Sequence, residues 1–238
     1  MRILIVGASK GLGKAFVEGL AGDDDTVIGI SRNRPKDLQL PADAKVDWIS
    51  VDMSNSIQAS DIIENQTPTK LDVIIYNLGI WEEGAFSNSY HFLKSSDEEI
   101  VNLINTNIIS SILLLKRLIP KLLKSKRPQI VLTGSTSGLP RSGRPEVAFG
   151  ASKFALRGIA DALREDFRED KLAVTCLQIG DLNTEDSIAE PIDIACQRGN
   201  GSLIPLHDVV DITRALLKMS NSSYVNEITL PAILDARF

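Results

Sequence analysis

The sequence predicts an α/β fold in which helices cover both faces of a doubly wound parallel sheet. Short apolar runs alternate with amphipathic segments along the chain, and several of these runs are apolar at consecutive positions. Such runs are typical of strands buried between two layers of helices. A glycine-rich turn directly after the first run is the second observation, because open sheets of this kind place a ligand at such a turn.

The apolar runs predict seven strands, and a 3.6-residue periodicity predicts five helices between them. The predicted strands are residues 3–6, 27–30, 46–51, 73–76, 130–132, 173–177 and 225–230, and the predicted helices are residues 12–20, 57–64, 98–123, 147–167 and 209–219. No internal repeat or low-complexity linker separates them, so residues 1–238 are predicted to form one domain. Residues 185–205 are irregular and follow a strand end, which makes them either a substrate lid or a plain surface insertion.

Composition argues against several classes of partner. The 238 residues are 43% hydrophobic and 24% charged with a net charge of −5, which is typical of a globular domain and favours neither nucleic acid nor an anionic membrane. Cys176 and Cys196 form no CxxC pair, and with only His91 and His207 available no metal site is predicted. No uninterrupted apolar stretch approaches the roughly 18 residues of a membrane span. We therefore expect a cytoplasmic protein with no metal, membrane or nucleic-acid partner.

Residues 7–13 read Gly-Ala-Ser-Lys-Gly-Leu-Gly and join the first predicted strand to the first predicted helix. A sharp turn, a close approach of backbone to phosphate and tight helix packing each favour a residue without Cβ. The helix N-terminus also offers free N–H groups and the positive end of its dipole to a pyrophosphate. We predict a Rossmann-type dinucleotide site, the alternative being a glycine-rich turn without a ligand. The predicted contacts are Gly7, Ser9, Lys10, Gly11, Leu12 and Gly13.

The segment after the second predicted strand indicates which dinucleotide binds. Sites that prefer NAD carry an acidic residue about 20 positions beyond the glycines, where it takes the ribose hydroxyls. Here that position is Arg32, preceded by Ser31. A guanidinium supported by a hydroxyl and by Lys10 suits a 2′-phosphate through charge-assisted hydrogen bonds. The sequence therefore favours NADP(H), unless Arg32 and Arg34 are ordinary surface residues.

The glycine spacing and further motifs at intervals across nearly the whole chain resemble the short-chain dehydrogenase/reductase family. Residues 76–79 resemble the NNAG motif that follows the fourth strand of this family, and residues 179–184 resemble its PG…T segment after the sixth. The resemblance implies that Asp52 and Met53 lie where the family holds the adenine. It implies further cofactor contacts from Asn77, Gly79, Lys153, Ile179, Gly180, Leu182 and Thr184.

The same resemblance implies an active site. Ser135 in the segment TGSTSG matches the family's catalytic serine, Lys153 the lysine of its YxxxK motif, and Asn107 the asparagine of its active-site helix. In the family the tyrosine exchanges a proton with the substrate, the lysine lowers the tyrosine pKa and the serine binds the carbonyl oxygen. The tyrosine position here is Phe149, whose ring has no exchangeable proton.

Three explanations of Phe149 stay open on the sequence. It is an introduced Tyr→Phe change in an ordinary reductase, or a natural residue in a nucleotide-binding protein with little redox activity. Alternatively, Ser135, Ser152 or a water bound to Lys153 supplies the proton. General acid–base catalysis is worth about 10²–10⁴-fold, so the first expectation is an NADP(H)-dependent oxidoreductase with an impaired proton step. The alternative is a non-catalytic NADP(H)-binding protein with a sensing or regulatory role.

The substrate walls and the assembly are predicted less directly. Trp81, Phe86, Tyr90, Leu139 and residues 185–205 either line a pocket for a small carbonyl or alcohol, or are loop packing. Family members assemble through the two long helices, and residues 98–123 carry more apolar surface than a solvent-facing helix needs. We expect a homodimer or homotetramer.

Overall fold

The computed structural model describes residues 1–22 and 24–238. Within this part of the chain seven parallel strands form one sheet in the order β3-β2-β1-β4-β5-β6-β9, and β7 pairs with β8 in a separate two-stranded ladder. The strands are β1 Arg2–Val6, β2 Thr26–Ser31, β3 Lys45–Ser50, β4 Val73–Tyr76, β5 Gln129–Thr133, β6 Ala173–Ile179, β7 Leu182–Asn183, β8 Ile204–Pro205 and β9 Glu227–Leu230. The helices are α1 Gly11–Leu20, α2 Ser56–Gln66, α3 Asp97–Ile104, α4 Ser110–Leu122, α5 Val147–Asp166, α6 Ile192–Ala195 and α7 Leu206–Leu217.

Alternate residues of each central strand supply two separate cores. On β1, Leu4 and Val6 pack into the core that contains α2, α4 and α5, whereas Ile3 and Ile5 pack into the core beneath α1 and α7. Successive side chains of a strand point to opposite faces, so a strand covered on both sides must be apolar at every position. This confirms the predicted doubly wound sheet.

The strand order reverses beside β1. β1 pairs with β2 on one side and with β4 on the other, so the connections leaving these strands diverge to opposite halves of the sheet. A crevice opens at such a switch point, outside the carboxyl ends of the strands. The residues that follow β1, β4, β5 and β6 are thereby brought to one edge of the domain.

The long predicted helix at residues 98–123 differs from expectation in its middle. A five-residue π-helical segment, Asn105–Ile109, separates α3 from α4 and leaves the axis continuous over Asp97–Leu122. By length and composition this helix could cross a membrane, although the sequence has no uninterrupted apolar stretch of that length. Half of its most apolar stretch is, however, buried in the fold. That burial is the packing of a core helix.

Residues 185–205 are more ordered than the sequence indicated. They contain α6 and end in β8, which returns to pair with β7. Asn183 Nδ2 donates to Asp186 at 2.7 Å, and Arg198 grips the same carboxylate through two nitrogens. These two partners lower the pKa of Asp186 to about 2, with Arg198 the larger influence. The segment thus has secondary structure and side-chain hydrogen bonds of its own.

Candidate functional site

The glycine turn after β1 leaves no room for side chains. Gly7 has a left-handed φ of +81°, and a Cβ there would lie 3.0 Å from the backbone nitrogen of Leu78. A Cβ on Gly13 would overlap the carbonyl oxygen of Gly7 and lie 2.9 Å from Asn77 Nδ2. Asn77 Nδ2 also donates to Gly7 O at 3.5 Å. The turn is therefore a backbone-lined cradle held against the loop after β4.

Helix α1 begins at this cradle with its first N–H groups unprotected by a side chain. Lys10 occupies the capping position, is extended, and makes no capping hydrogen bond. Thr184, after β7, places its methyl group 3.4 Å from where a Cβ on Gly11 would be. The positive end of α1 and the segment that follows β6 thus meet at the turn, as an anion site requires.

The ends of β2 and β3 carry the predicted selectivity residues. Ser31 Oγ donates to Asn33 O at 2.7 Å, and Arg32 is exposed. The Ser54 N–H, and more weakly the charge of Arg32, hold the pKa of the Asp52 carboxyl below its ordinary value. Met53 is only 5% exposed and belongs to the core. Of the predicted adenine pair, Asp52 is therefore the exposed member.

Lys153 and Asn107 converge on Gly79, near the start of the loop after β4. Lys153 Nζ lies 3.3 Å, and Asn107 Oδ1 3.9 Å, from where a Cβ on Gly79 would be. The amine donates to Thr133 O at 2.9 Å and has no carboxylate partner in the described residues. Burial without such a partner lowers the pKa of Lys153 to about 8. The site therefore contains an amine that titrates close to neutral pH.

Asn107 fixes the π-helical segment to its surroundings. Its Oδ1 accepts from Ile80 N at 2.8 Å, and its Nδ2 donates to Ile80 O at 2.7 Å and to Ser152 Oγ at 3.0 Å. Ser152 lies in α5 beside Lys153 and donates to Phe149 O at 2.7 Å. One amide thereby ties the helix α3–α4, the loop after β4 and α5 together. Segments of π-helix are frequent at functional sites.

Ser135, two residues after β5, is the N-cap of a short 3₁₀ turn, Thr136–Gly138. Its Oγ accepts from Ser137 N at 3.1 Å and its backbone N–H donates to Gln178 Oε1 at 3.1 Å. A Cβ on Gly138 would lie 2.8 Å from the carbonyl carbon of Lys153. The turn that carries Ser135 is therefore packed against the helical turn that carries Lys153.

Phe149 lies in the first turn of α5, four residues before Lys153, and is 6% exposed. The Lys153 amine is 5.5 Å from the centre of its ring. The rings of Phe86 and Trp81 meet it edge to face at 5.2 and 6.4 Å. Two of the predicted substrate walls thus contact Phe149 directly.

Two buried residues of this region have no counterpart in the sequence prediction. Glu82 is fully buried, accepts from Ala148 N at 2.8 Å and Phe149 N at 3.2 Å, and so caps α5 from a distant loop. Tyr90, a predicted wall residue, donates to the same carboxylate at 3.3 Å. Gln178 holds the Ser135 backbone. Neither Glu82 nor Gln178 has a local sequence signal, because their hydrogen-bond partners are remote in the sequence.

Comparison with known proteins identifies relatives of this chain. Residues 1–191 match the short chain dehydrogenase family. A 3-ketodihydrosphingosine reductase of Bacteroides thetaiotaomicron is 30% identical over 187 residues, covering 76% of this chain and 64% of that protein. An NADPH-dependent pterin aldehyde reductase of Arabidopsis thaliana is 30% identical over 190 residues, covering 77% of this chain and 75% of that protein. The matched region spans slightly less than two thirds of the first relative.

Solved structures share the fold. A metagenomic short-chain oxidoreductase in complex with NADP matches with a TM-score of 0.76 at 20% identity, over 98% of this chain and 97% of that chain. Serine dehydrogenase of Escherichia coli matches with a TM-score of 0.74 at 19% identity, over 96% of each chain. Together with the matched residues 1–191 and the 30% identity to the pterin aldehyde reductase, the fold and the glycine cradle lead to one conclusion: the chain belongs to the short chain dehydrogenase family.

Proposed function

We propose that the chain is an NADP(H)-dependent oxidoreductase for a small carbonyl or alcohol, with a weakened proton-transfer step. The observation that carries this proposal is the convergence of Lys153, Asn107 and the Ser135 turn beside the glycine cradle. Phe149 stands where the family resemblance implies a tyrosine. NADPH oxidation against small aldehydes, diketones and keto acids, with tyrosine introduced at position 149, tests the proposal.

The residues present fit a dinucleotide. The cradle at Gly7 and Gly13 excludes side chains, and the uncapped start of α1 presents N–H groups beside it. When bound, the nicotinamide would supply or accept a hydride. The pyrophosphate would be held by Ser9, Gly11, Leu12, Gly13 and Thr184. The adenosine side would be held by Lys10, Ser31, Arg32 and Asp52, and the nicotinamide side by Asn77, Gly79, Lys153, Ile179, Gly180 and Leu182.

Each polar group at the inner end of the site has a defined task. Ser135 Oγ accepts one hydrogen bond from Ser137 N, so its own proton is free to be donated to a carbonyl oxygen. The Lys153 ammonium stabilises negative charge developing at that oxygen. Asn107 keeps Ser152 and the loop after β4 in place around it. Phe149 adds apolar contact and supplies no proton.

The substrate class follows from the walls and the relatives. Trp81 and Phe86 present aromatic surface above Phe149 and are partly exposed. This surface suits an apolar or planar group attached to the carbonyl. The names of two relatives specify a ketosphingoid and a pterin aldehyde, both carbonyl compounds. A carbonyl is therefore the proposed reacting group.

A second function, binding of NADP(H) without turnover, is favoured by one observation. Phe149 is almost fully covered, with Phe86 packed on its ring at 5.2 Å. A protein whose catalytic position is both deprived of a hydroxyl and covered by aromatic rings suits a sensing role. Saturable NADPH binding without any carbonyl reduction, even with tyrosine at position 149, would favour this function.

Arg32→Ala is expected to weaken NADPH binding by about tenfold or more and to leave NADH binding nearly unchanged. The reason is that only NADPH carries the 2′-phosphate that an exposed guanidinium after β2 would contact. The intrinsic fluorescence of Trp48 and Trp81 provides the titration signal. Arg34→Ala is the matched control, since Arg34 is also exposed and lies two residues away. Equal affinities of the unmodified chain for NADH and NADPH would refute the selectivity.

We also propose that the chain forms at least a dimer through its long helices. Val101, Ile109 and Ile112 on the α3–α4 unit, and Val147 and Phe154 on α5, are 42–68% exposed. Light scattering at micromolar concentration should therefore give at least twice the 26.0 kDa of one chain. Ile112→Glu should shift the mass toward the monomer, while Ile57→Glu on α2 should not. A monomeric unmodified chain would overturn the proposal.

A further inference from the structure

A partly buried series of hydrogen bonds connects Ser135 to β9, the edge strand beside β6. Gln178, on β6, is fully buried, and its Oε1 accepts from the backbone N–H of Ser135 at 3.1 Å. On its other side, Gln178 Nε2 donates to Glu227 Oε2 at 2.8 Å. A single side chain thereby links Ser135, two residues after β5, to Glu227, the first residue of β9.

Helix α5 anchors Glu227, the last residue of this series of hydrogen bonds. Arg157 Nε donates to Glu227 Oε2 at 2.8 Å, and Arg157 Nη2 donates to Glu227 Oε1 at 3.3 Å. Arg157 lies four residues after Lys153, one turn further along the same helix. A bidentate pair of this kind fixes the carboxylate more firmly than a single contact would. These hydrogen bonds therefore connect the Ser135 turn to the helix that carries Lys153.

The orientation of the Gln178 amide is determined by its partners. A carboxylate only accepts hydrogen bonds, so the NH₂ group of Gln178 must face Glu227. The amide oxygen then has to face the Ser135 N–H, which is a donor. Space for this oxygen exists because residue 134 is glycine: a Cβ there would overlap Gln178 Oε1 and lie 2.9 Å from Gln178 Cδ. The missing side chain at Gly134 thus makes room for the Gln178 amide.

We propose that Gln178 is a positioning residue for Ser135. It acts through the backbone, since locking the Ser135 N–H fixes the start of the 3₁₀ turn in which Ser135 Oγ accepts from Ser137 N at 3.1 Å. The direction of the Oγ proton toward the substrate is set by this arrangement. The inference rests on the proposed function, in which Ser135 binds the carbonyl oxygen.

The test compares Gln178→Leu with Gln129→Leu, both in the Phe149→Tyr background. Gln129 is also buried in the sheet but lies at the opposite end of β5. Gln178→Leu is expected to lower kcat by about tenfold or more, because a misdirected donor loses part of its effect on the transition state. The Kd for NADPH should change less than about twofold. Gln129→Leu should leave kcat unchanged, and an equal kcat in both variants would overturn the proposal.

The hydrogen-exchange rates of backbone amides test the positioning role of Gln178 independently of activity. In protein with ¹⁵N-labelled serine, Gln178→Leu should accelerate exchange at Ser135 and Ser137 about tenfold, because the local opening that exposes these amides becomes easier. Exchange at Ser110, which is buried in α4, should be unaffected. Unchanged exchange at Ser135 would contradict the positioning role. If NADPH binds but no variant reduces any carbonyl, the proposed function fails, and the exchange rates still determine whether Gln178 holds Ser135. Should Gln178→Leu not fold, Glu227→Ala removes the partly exposed partner of Gln178. This variant should accelerate exchange at the same two amides, and unchanged exchange would overturn the proposal.

Discussion

Phe149→Tyr is expected to raise carbonyl reduction by about 10²-fold or more in kcat. The ring already lies with its centre 5.5 Å from the Lys153 amine, on the same helix and one turn away. A hydroxyl on that ring would complete a proton path in which Ser135 remains available to the carbonyl oxygen. The measurement is NADPH oxidation by the variant and by the unmodified chain on the same carbonyl panel.

The pH profile of the variant gives a second signature. An ammonium beside a phenol lowers the phenol pKa from about 10 toward neutrality. Burial has already lowered the pKa of Lys153 to about 8. The ammonium is therefore present below that pH and is lost above it. We expect the rate of the Phe149→Tyr variant to decline as the pH rises through about 8.

Phe154→Tyr is the control for the added hydroxyl, because Phe154 lies on the same helix, is 42% exposed and is not among the residues assigned to the site. It should produce no gain. If the unmodified chain turns over as fast as Phe149→Tyr, the proton comes from another group and the role assigned to position 149 is wrong. If the variant binds NADPH and reduces nothing on a broad panel, the non-catalytic function is favoured.

Gly13→Ala is expected to have the largest effect on stability and to abolish NADPH binding. The added Cβ would overlap the carbonyl oxygen of Gly7 and lie 2.8 Å from its carbonyl carbon. Neither atom can move without shifting β1 or α1, so we expect a loss of about 3 kcal/mol or more in the free energy of unfolding. Denaturant unfolding followed by circular dichroism measures this loss.

Gly158→Ala is the matched control for Gly13→Ala. Gly158 lies in α5, and a Cβ there would have no neighbour within 4 Å. Since alanine is the better helix former, this variant should gain about 0.5–1 kcal/mol in stability and bind NADPH normally. A Gly13→Ala protein that unfolds at the same denaturant concentration and still binds NADPH would contradict the close packing of the turn.

Features with a local physical cause were predictable from the sequence. The central strands are covered on both faces, which requires consecutive apolar residues, and the turn at Gly7–Gly13 requires residues without Cβ. Both requirements are visible in the order of the amino acids. The strand bounds differ from prediction mainly at the ends, for example β9 at Glu227–Leu230 against residues 225–230, because strand ends depend on pairing with a neighbour.

Features made by remote partners were not predictable in the same way. Glu82 caps α5 across 66 residues of chain and Gln178 reaches Ser135 across 43, and neither contact leaves a periodic signal. Within the π-helical segment at Asn105–Ile109, Asn107 bonds to Ile80 and Ser152, which lie 27 and 45 residues away. The sequence indicated that Ser135, Lys153 and Phe149 belong together; the structure adds what holds them.

Binding of NADPH to the unmodified chain tests the central claim most directly, because both proposed functions require it. Isothermal titration calorimetry at neutral pH should give saturable binding of one NADPH per chain, with a weaker response to NADH. Gly158→Ala should behave identically. A folded chain that shows no saturable NADPH binding up to millimolar concentration would contradict the account.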